Sequence, residues 1–145
     1  MRIDSAGRVT TPSQPAFFAY DTRGYGKVSA SDLVCNSFSF NTGSSYNNTN
    51  GRFTAPISGR YLFSCNVQGA DVYEGGNPYI STIPRVNGSG IGVGEFINSL
   101  TSTADHSNLS PTVIVNMNAG DYFTWYCNRG YRSGPQISMT GYLIG

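Results

Sequence analysis

Polar and apolar residues alternate with a period of two over several stretches of this chain. In Arg60–Gln68, Tyr61, Phe63, Cys65 and Val67 fall on one face, and Leu62, Ser64, Asn66 and Gln68 on the other. Val113, Val115 and Met117 share a face within Thr112–Met117, as do Phe123, Trp125 and Cys127 within Asp121–Cys127. This period marks strands with one buried side. Gly or Pro breaks nearly every window that could hold three helical turns. Asn50-Gly51, Ser58-Gly59, Asn87-Gly88 and Ala119-Gly120-Asp121 sit where hairpins or corners are needed. Many strands, regular turns and no crossover helix predict an all-β sandwich or closed barrel.

The last segment, Ile137–Ile144, departs from one-sided burial. Tyr142 and Ile144 point away from Met139 and Leu143, so both faces are apolar near its end. Such a strand needs two covers, its own core and a second body.

Three stretches lack clear alternation and read as loops: Gly69–Gly94, Ser99–Ser110 and Arg129–Pro135. The first holds a run of alternate glycines, Gly88, Gly90, Gly92 and Gly94, which does not fit a phosphate-cradling motif and reads as a turned loop. Met1–Gln14 is polar and reads as an extended arm or linker, with a single domain over 15–145.

Composition narrows the function. Charged residues make up 12% of the 145-residue chain, about half the ~25% usual for soluble domains, and the net charge is +1. Lys27 is the only lysine, and no basic stripe exists to neutralise phosphates, so nucleic acid is not an expected partner. No apolar run reaches the ~20 residues of a membrane span, and the N-terminal stretch lacks the apolar centre of a signal peptide. Cys65 and Cys127 lie in apolar strand patterns and read as buried free thiols, a Cys65–Cys127 bridge being the alternative.

Catalytic signatures are missing. The single histidine, His106, sits in a polar segment, and the eight carboxylates (Asp4, Asp21, Asp32, Asp71, Glu74, Glu95, Asp105, Asp121) are scattered. No spacing suggests a nucleophile with its base, a pair of glycosidase acids or a zinc site. No cofactor is expected, although calcium held by loop carboxylates and carbonyls is left open. The Asn-x-Ser/Thr triplets at Asn47, Asn87 and Asn108 are what chance supplies in so Asn- and Ser-rich a chain.

Tyr46–Phe63 carries a family pattern. An asparagine-rich turn is followed by Gly51-Arg52-Phe53-Thr54 and then Pro56-Ile57-Ser58-Gly59-Arg60-Tyr61-Leu62-Phe63. Gly51, Phe53, Thr54, Pro56, Gly59, Tyr61 and Phe63 closely resemble the signature of the complement-1q globular-head family, a branch of the tumour-necrosis-factor-like jelly rolls. Pro15-Ala16-Phe17 resembles the family's opening strand. Val113–Asp121 resembles its apolar strand ending in Gly-Asp, and Ser138–Ile144 its closing Ser-x-x-Gly-aromatic-Leu strand. The resemblance implies a two-sheet antiparallel jelly-roll sandwich of about ten strands, assembling as a homotrimer that recognises ligands through its surfaces and apical loops. Separately, Met1–Val9 resembles a phrase common in bacteriophage tail-fibre and related virion proteins.

These readings converge on a non-enzymatic trimeric binding head on a virion, on a phage tail fibre, spike or capsid surface. It would join other virion proteins through the arm and recognise a host-surface glycan or protein. The alternatives are a purely structural virion part (fibre cap, trimerisation unit or capsid decoration) and, behind it, a polysaccharide depolymerase. Tyr73, Tyr79 and Tyr131 are expected to stack on sugars, with Arg129 and Arg132 for acidic groups. Tyr61, Phe63, Phe123, Trp125, Tyr142, Leu143 and Ile144 are the aromatic and apolar set expected in the core or in trimer contacts.

Overall fold

The structure, a computed structural model, describes residues 2–3, 5–7, 9–10, 13–23, 26–28, 30–70, 79–99, 106–129, 131–133 and 137–145. Among them every regular element is a strand. In chain order these are β1 (Arg2–Ile3), β2 (Val9–Thr10), β3 (Ala16–Tyr20), β4 (Gly26–Val28), β5 (Ser31–Asp32), β6 (Ser37–Thr42), β7 (Tyr46–Asn47), β8 (Arg52–Thr54) and β9 (Gly59–Ala70). There follow β10 (Tyr79–Val86), β11 (Ser89–Gly90), β12 (Phe96–Ser99), β13 (His106–Leu109), β14 (Thr112–Met117), β15 (Tyr122–Arg129), β16 (Tyr131–Ser133) and β17 (Ile137–Leu143).

Two antiparallel sheets hold thirteen of these strands. The six-stranded sheet runs β13-β9-β17-β3-β6, with β14 also on β9. The seven-stranded sheet runs β11-β10-β15-β8-β7, with β12 on β10 and β5 on β15. Short pieces such as β5, β7, β8, β11 and β12 raise the count above the ten or so expected. The ribbons β1–β2 and β4–β16 pair apart from both sheets.

The sheets face each other across an aromatic core. Phe17 stacks on Tyr46 at 4.5 Å and Phe63 on Phe123 at 3.9 Å, while Phe53 meets Phe63 edge-on at 5.2 Å and Trp125 meets Phe123 edge-on at 5.4 Å. Burial of such rings drives folding, and their stacked and edge-on contacts add to it. The chain leaves room for them at Gly141. A Cβ there would come within 2.5 Å of the Phe63 ring and 2.7 Å of Phe17. Gly51 is needed for a different reason: its φ is +74°, and a Cβ would strike the Leu33 carbonyl oxygen.

At the end of β3 a cluster of buried polar groups satisfies its own hydrogen bonds, whereas Thr82 Oγ1, Thr124 Oγ1 and Trp125 Nε1 are buried without a hydrogen-bond partner among the described residues. The fully buried Asp21 carboxylate accepts from Arg23 Nε at 2.8 Å and Nη2 at 2.9 Å, and Arg23 Nη2 also donates to the Val34 carbonyl at 2.6 Å. That pairing holds the Arg23 proton more tightly than usual. The Tyr46 hydroxyl donates to the Cys35 carbonyl at 3.1 Å and accepts from the Cys35 N–H at 3.0 Å. Cys35, Cys65 and Cys127 are buried thiols outside any disulfide, so no Cys65–Cys127 bridge forms. Burial, helped by nearby Asp21, pushes the Cys35 thiol from 9.0 up to about 12, and burial raises Cys65 as well.

Three stretches read as loops contain strands instead. In Gly69–Gly94, residues 79–86 form β10, inside the seven-stranded sheet. Its buried Ser81, Thr82 and Pro84 hide the apolar signal. Pro84 is tolerated because β12 pairs with Tyr79–Thr82 and β11 with Arg85–Val86, leaving Ile83 and Pro84 between them. Asn87 and Gly88 then close the β10–β11 hairpin with both φ values positive, as a two-residue turn of this hand needs. In Ser99–Ser110, β13 pairs with the end of β9 and buries Leu109. In Arg129–Pro135, β16 pairs with β4. In each case the partner strand, not the local pattern, supplies the strand conformation. The arm is also not one extended run, since Arg2 pairs with Thr10 and Ile3 with Val9.

Two predictions follow from this packing. Gly141→Ala should cost about 1–3 kcal/mol, because its methyl group drives into two buried rings. Gly51→Ala should cost at least as much, because it adds left-handed strain to a collision with backbone. Urea midpoints at an unchanged slope would measure both. The thiols should make stability fall in alkali. Folded Cys35 keeps its proton where the unfolded chain has lost it, so its contribution is intact below about pH 9 and declines towards pH 12. Cys35→Ala should flatten part of that decline, and native protein should resist thiol reagents at pH 8 until denaturant is added.

Candidate assembly face and ligand-contact residues

The inner face of the six-stranded sheet belongs to the core. Its outer face is in water and carries an apolar band across its middle. Strand register lines Ile114, Leu62, Tyr142, Ala16 and Thr42 into one row across β14, β9, β17, β3 and β6. A second row runs Thr112, Ser64, Thr140, Phe18 and Phe40. Tyr20 extends the aromatic end, its ring 6.3 Å from that of Phe18, while the exposed Phe38 pairs across a bulge with the core-facing Ala19. Exposure runs from 36% at Phe18 through 40% at Tyr142 and 47% at Phe40 to 60% at Ile114.

The polar groups in these rows are turned inward on the chain itself. Thr112 Oγ1 donates to Ser64 Oγ at 3.1 Å, Ser64 Oγ donates to the Pro111 carbonyl at 3.1 Å, and Thr140 Oγ1 donates to the Phe17 carbonyl at 2.9 Å. Across β3, β6, β9, β14 and β17 this face has no carboxylate, and Arg60 is its one charged residue. Aromatic enrichment with charge depletion is the composition of an interface centre.

The expected core and assembly residues divide between the two sides. Tyr61, Phe63, Phe123 and Trp125 are buried in the core, and the Tyr61 hydroxyl donates to the Ile57 carbonyl at 2.7 Å. Leu143 is half-buried against that core. Tyr142 and Ile144 are exposed on the opposite side.

The expected ligand-contact residues are partly brought together. Arg129, at the end of β15, pairs with Ser81, two residues from the half-buried Tyr79 on β10. Tyr131 and Arg132 follow one and two residues after Gly130, on the β4–β16 ribbon opposite Val28 and Lys27. The side chains of Arg129, Tyr131, Arg132 and His106 lie outside the described part of the structure, as does Tyr73 altogether.

Reactive chemistry is not assembled among the described residues. The raised thiols are protonated at neutral pH. No three of His, Cys, Asp and Glu converge as metal ligands among the described residues; Asp71, Glu74 and Asp105 lie outside them. An open cleft of about 410 Å³ is lined by Ser58, Gly59, Arg60, Asn116, Met117, Asn118 and Gly145, with no acidic, histidine or cysteine side chain. Asp121 beside it is committed to structure: it accepts from Asn87 Nδ2 and the Asn118 N–H, both at 2.8 Å, which lowers its pKa.

A further surface, not among the sequence readings, lies on the outside of the seven-stranded sheet. Arg52 lies over the Tyr122 ring, 4.1 Å from its centroid, and Arg85 lies over Tyr126 at 3.3 Å. These residues are far apart in the chain, and only strand register brings them together. The one sequence sign was Tyr122 and Tyr126 on the same face of an alternating strand.

The whole head matches known proteins. The family model described as the C1q domain matches residues 16–144. The globular domain of zebrafish complement 1qA protein superposes with a TM-score of 0.71 at 14% identity, covering 91% of this chain and 98% of that one. Eiger TNF from S. frugiperda gives 0.65 at 15% identity, covering 92% and 94%. Murine APRIL at pH 5.0 gives 0.64 at 13% identity, covering 90% and 99%. No curated protein sequence matches the chain. The two-sheet sandwich is thus the jelly roll of these structures, and the chain belongs to the C1q domain family.

Proposed function

We propose that this protein is a non-enzymatic homotrimeric binding head of a virion, carried on a phage tail fibre or spike, that attaches to a glycan or protein on the host surface. The observation that carries the reading is the carboxylate-free, aromatic-rich face of the six-stranded sheet. A lone protomer leaves Phe18, Phe40, Tyr142 and Ile114 in water. Three copies around one axis bury them by the hydrophobic effect, with no ion pairs to desolvate.

C1q and tumour-necrosis-factor-like domains are in general binding domains, and family members form homotrimers. The virion setting is supported by the Met1–Val9 phrase, which resembles those of tail-fibre proteins. In this reading the N-terminal ribbon meets other virion proteins. Tyr73, Tyr79, Arg129, Tyr131 and Arg132 contribute to the host-facing surface. Three equivalent weak sites then act together, raising the overall affinity well above that of one contact.

Light scattering should give three times the 15.6 kDa chain mass. Phe18→Arg with Tyr142→Arg should yield a folded monomer, because the new charges would be buried unpaired at the axis. A wild-type protein that stays monomeric at high concentration would overturn the assembly. Wild-type trimer should adhere to host cells, and Tyr131→Ala with Arg132→Ala should weaken adhesion several-fold. Equal adhesion would remove that pair from the site, and a trimer that adheres to no host cell would favour a purely structural virion part.

A further inference from the structure

The outer face of the seven-stranded sheet carries an organised pattern of charge. Phe123, Trp125 and Cys127 fill the core, so Tyr122 and Tyr126 turn to the other side of β15, with Thr124 buried between them. Tyr122 lies opposite Thr54 on β8, and Arg52, on the same face of that strand, covers the Tyr122 ring. Arg85 on β10 lies opposite Thr124 and covers the Tyr126 ring. The two arginines therefore reach β15 from its two sides. Their tyrosines are four residues apart on one strand, roughly 13 Å.

Neither guanidinium has a carboxylate partner among the described residues. Among the described residues the ion pair is that of Arg23 with Asp21. Glu95 accepts from Asn128 Nδ2 at 2.8 Å, and Asp121 is held by Asn87 and Asn118. Asp32 lies opposite Tyr126 on β5, across β15 from Arg85.

A guanidinium laid flat on an aromatic ring is held in place by cation–π attraction, while its N–H donors remain at the edge of the plane. Much of the side-chain entropy normally lost on binding is then already lost. The free edge matches a carboxylate or sulfate in two-pronged fashion. Two such forks on a flat surface suit a polymer with repeated anionic groups better than a single small anion. The neighbouring Thr54, Asn47 and Asn128 add neutral hydrogen-bonding groups suited to sugar hydroxyls.

We propose that this face binds an acidic polysaccharide, with Arg52 and Arg85 each taking one carboxylate or sulfate group of the chain. The proposal rests on the binding-head reading and deepens it. An assembly through the six-stranded sheet leaves the opposite sheet outermost on all three copies, so one glycan layer meets three such faces.

The test is affinity electrophoresis of the full chain in gels containing polygalacturonate, heparin or neutral dextran. Light scattering and circular dichroism would check assembly and fold of every variant. Wild type should be retarded by an acidic polymer and not by dextran, and less so as salt rises. Retardation by polygalacturonate alone would assign carboxylate, and by heparin alone sulfate. Arg52→Gln with Arg85→Gln should lose roughly tenfold or more in affinity, the scale of lost charge-assisted hydrogen bonds. The double lysine variant should fall between, keeping charge without the planar fork. Arg52→Gln alone, at an exposed position, should keep the fold and lose part of the binding.

No retardation of wild type by either acidic polymer would overturn the proposal, as would equal retardation of the double glutamine variant. If host cells are still bound in either case, the binding-head reading survives and its site lies elsewhere. Adhesion that survives periodate oxidation of cell-surface glycans but is lost in the double glutamine variant would assign the face to a protein partner and overturn the glycan. A wild-type monomer that still binds acidic polymer would support this face and sink the trimeric reading.

Discussion

Strand β17 lies between β3 and β9, in the middle of the six-stranded sheet, and must satisfy two environments at once. On its inner side Ile137 and Met139 fill the core, and Gly141, with no side chain, lets the Phe17 and Phe63 rings close over it. Those rings link to Phe53, Tyr46, Phe123 and Trp125, so the contact at Gly141 helps hold the two sheets at their working distance. Interiors packed at crystal-like density transmit such a constraint widely. The strand's outer side, with Tyr142 and then Ile144, is left for a second body.

The chain carries little charge, and where the charge sits distinguishes the two sheets. On the outer side of the six-stranded sheet, hydroxyls bond to their own backbone and aromatics stand exposed. On the outer side of the seven-stranded sheet, guanidiniums lie on tyrosine rings with no carboxylate partner among the described residues. Apolar faces associate without directional demands, whereas held charges select complementary ones. One sandwich can therefore assemble through one face and recognise through the other without the two competing.

The polar interior supports both faces rather than reacting. Asp21 and Arg23 tie the end of β3 to the Val34 backbone, and Asp21 N–H donates to the Ile137 carbonyl at 3.0 Å, so β17 is anchored to the same point. Cys35 and Tyr46 complete the cluster with protonated groups. A rigid scaffold of this kind keeps surface groups in place.

How far the sequence could be read follows from the range of the forces involved. Alternation in Arg60–Gln68, Thr112–Met117 and Asp121–Cys127 identified core strands correctly, because a strand with one wet face records its burial in its own residues. The doubly apolar end of β17 and the Asn87-Gly88 turn were legible for the same local reason. Strand β10 was not, because its inward positions include Thr82 and Pro84, whose burial is imposed by β15 and β12. Strands β13 and β16 owe their form to β9 and β4 in the same way. The pairing of Arg52 with Tyr122 and of Arg85 with Tyr126 depends on register between strands tens of residues apart. Local pattern thus determined which segments are strands and which side of each is greasy. Only the tertiary structure decided which strands are neighbours, and with that which charges meet which rings, because hydrogen-bonded register is a property of pairs of segments and of no single one.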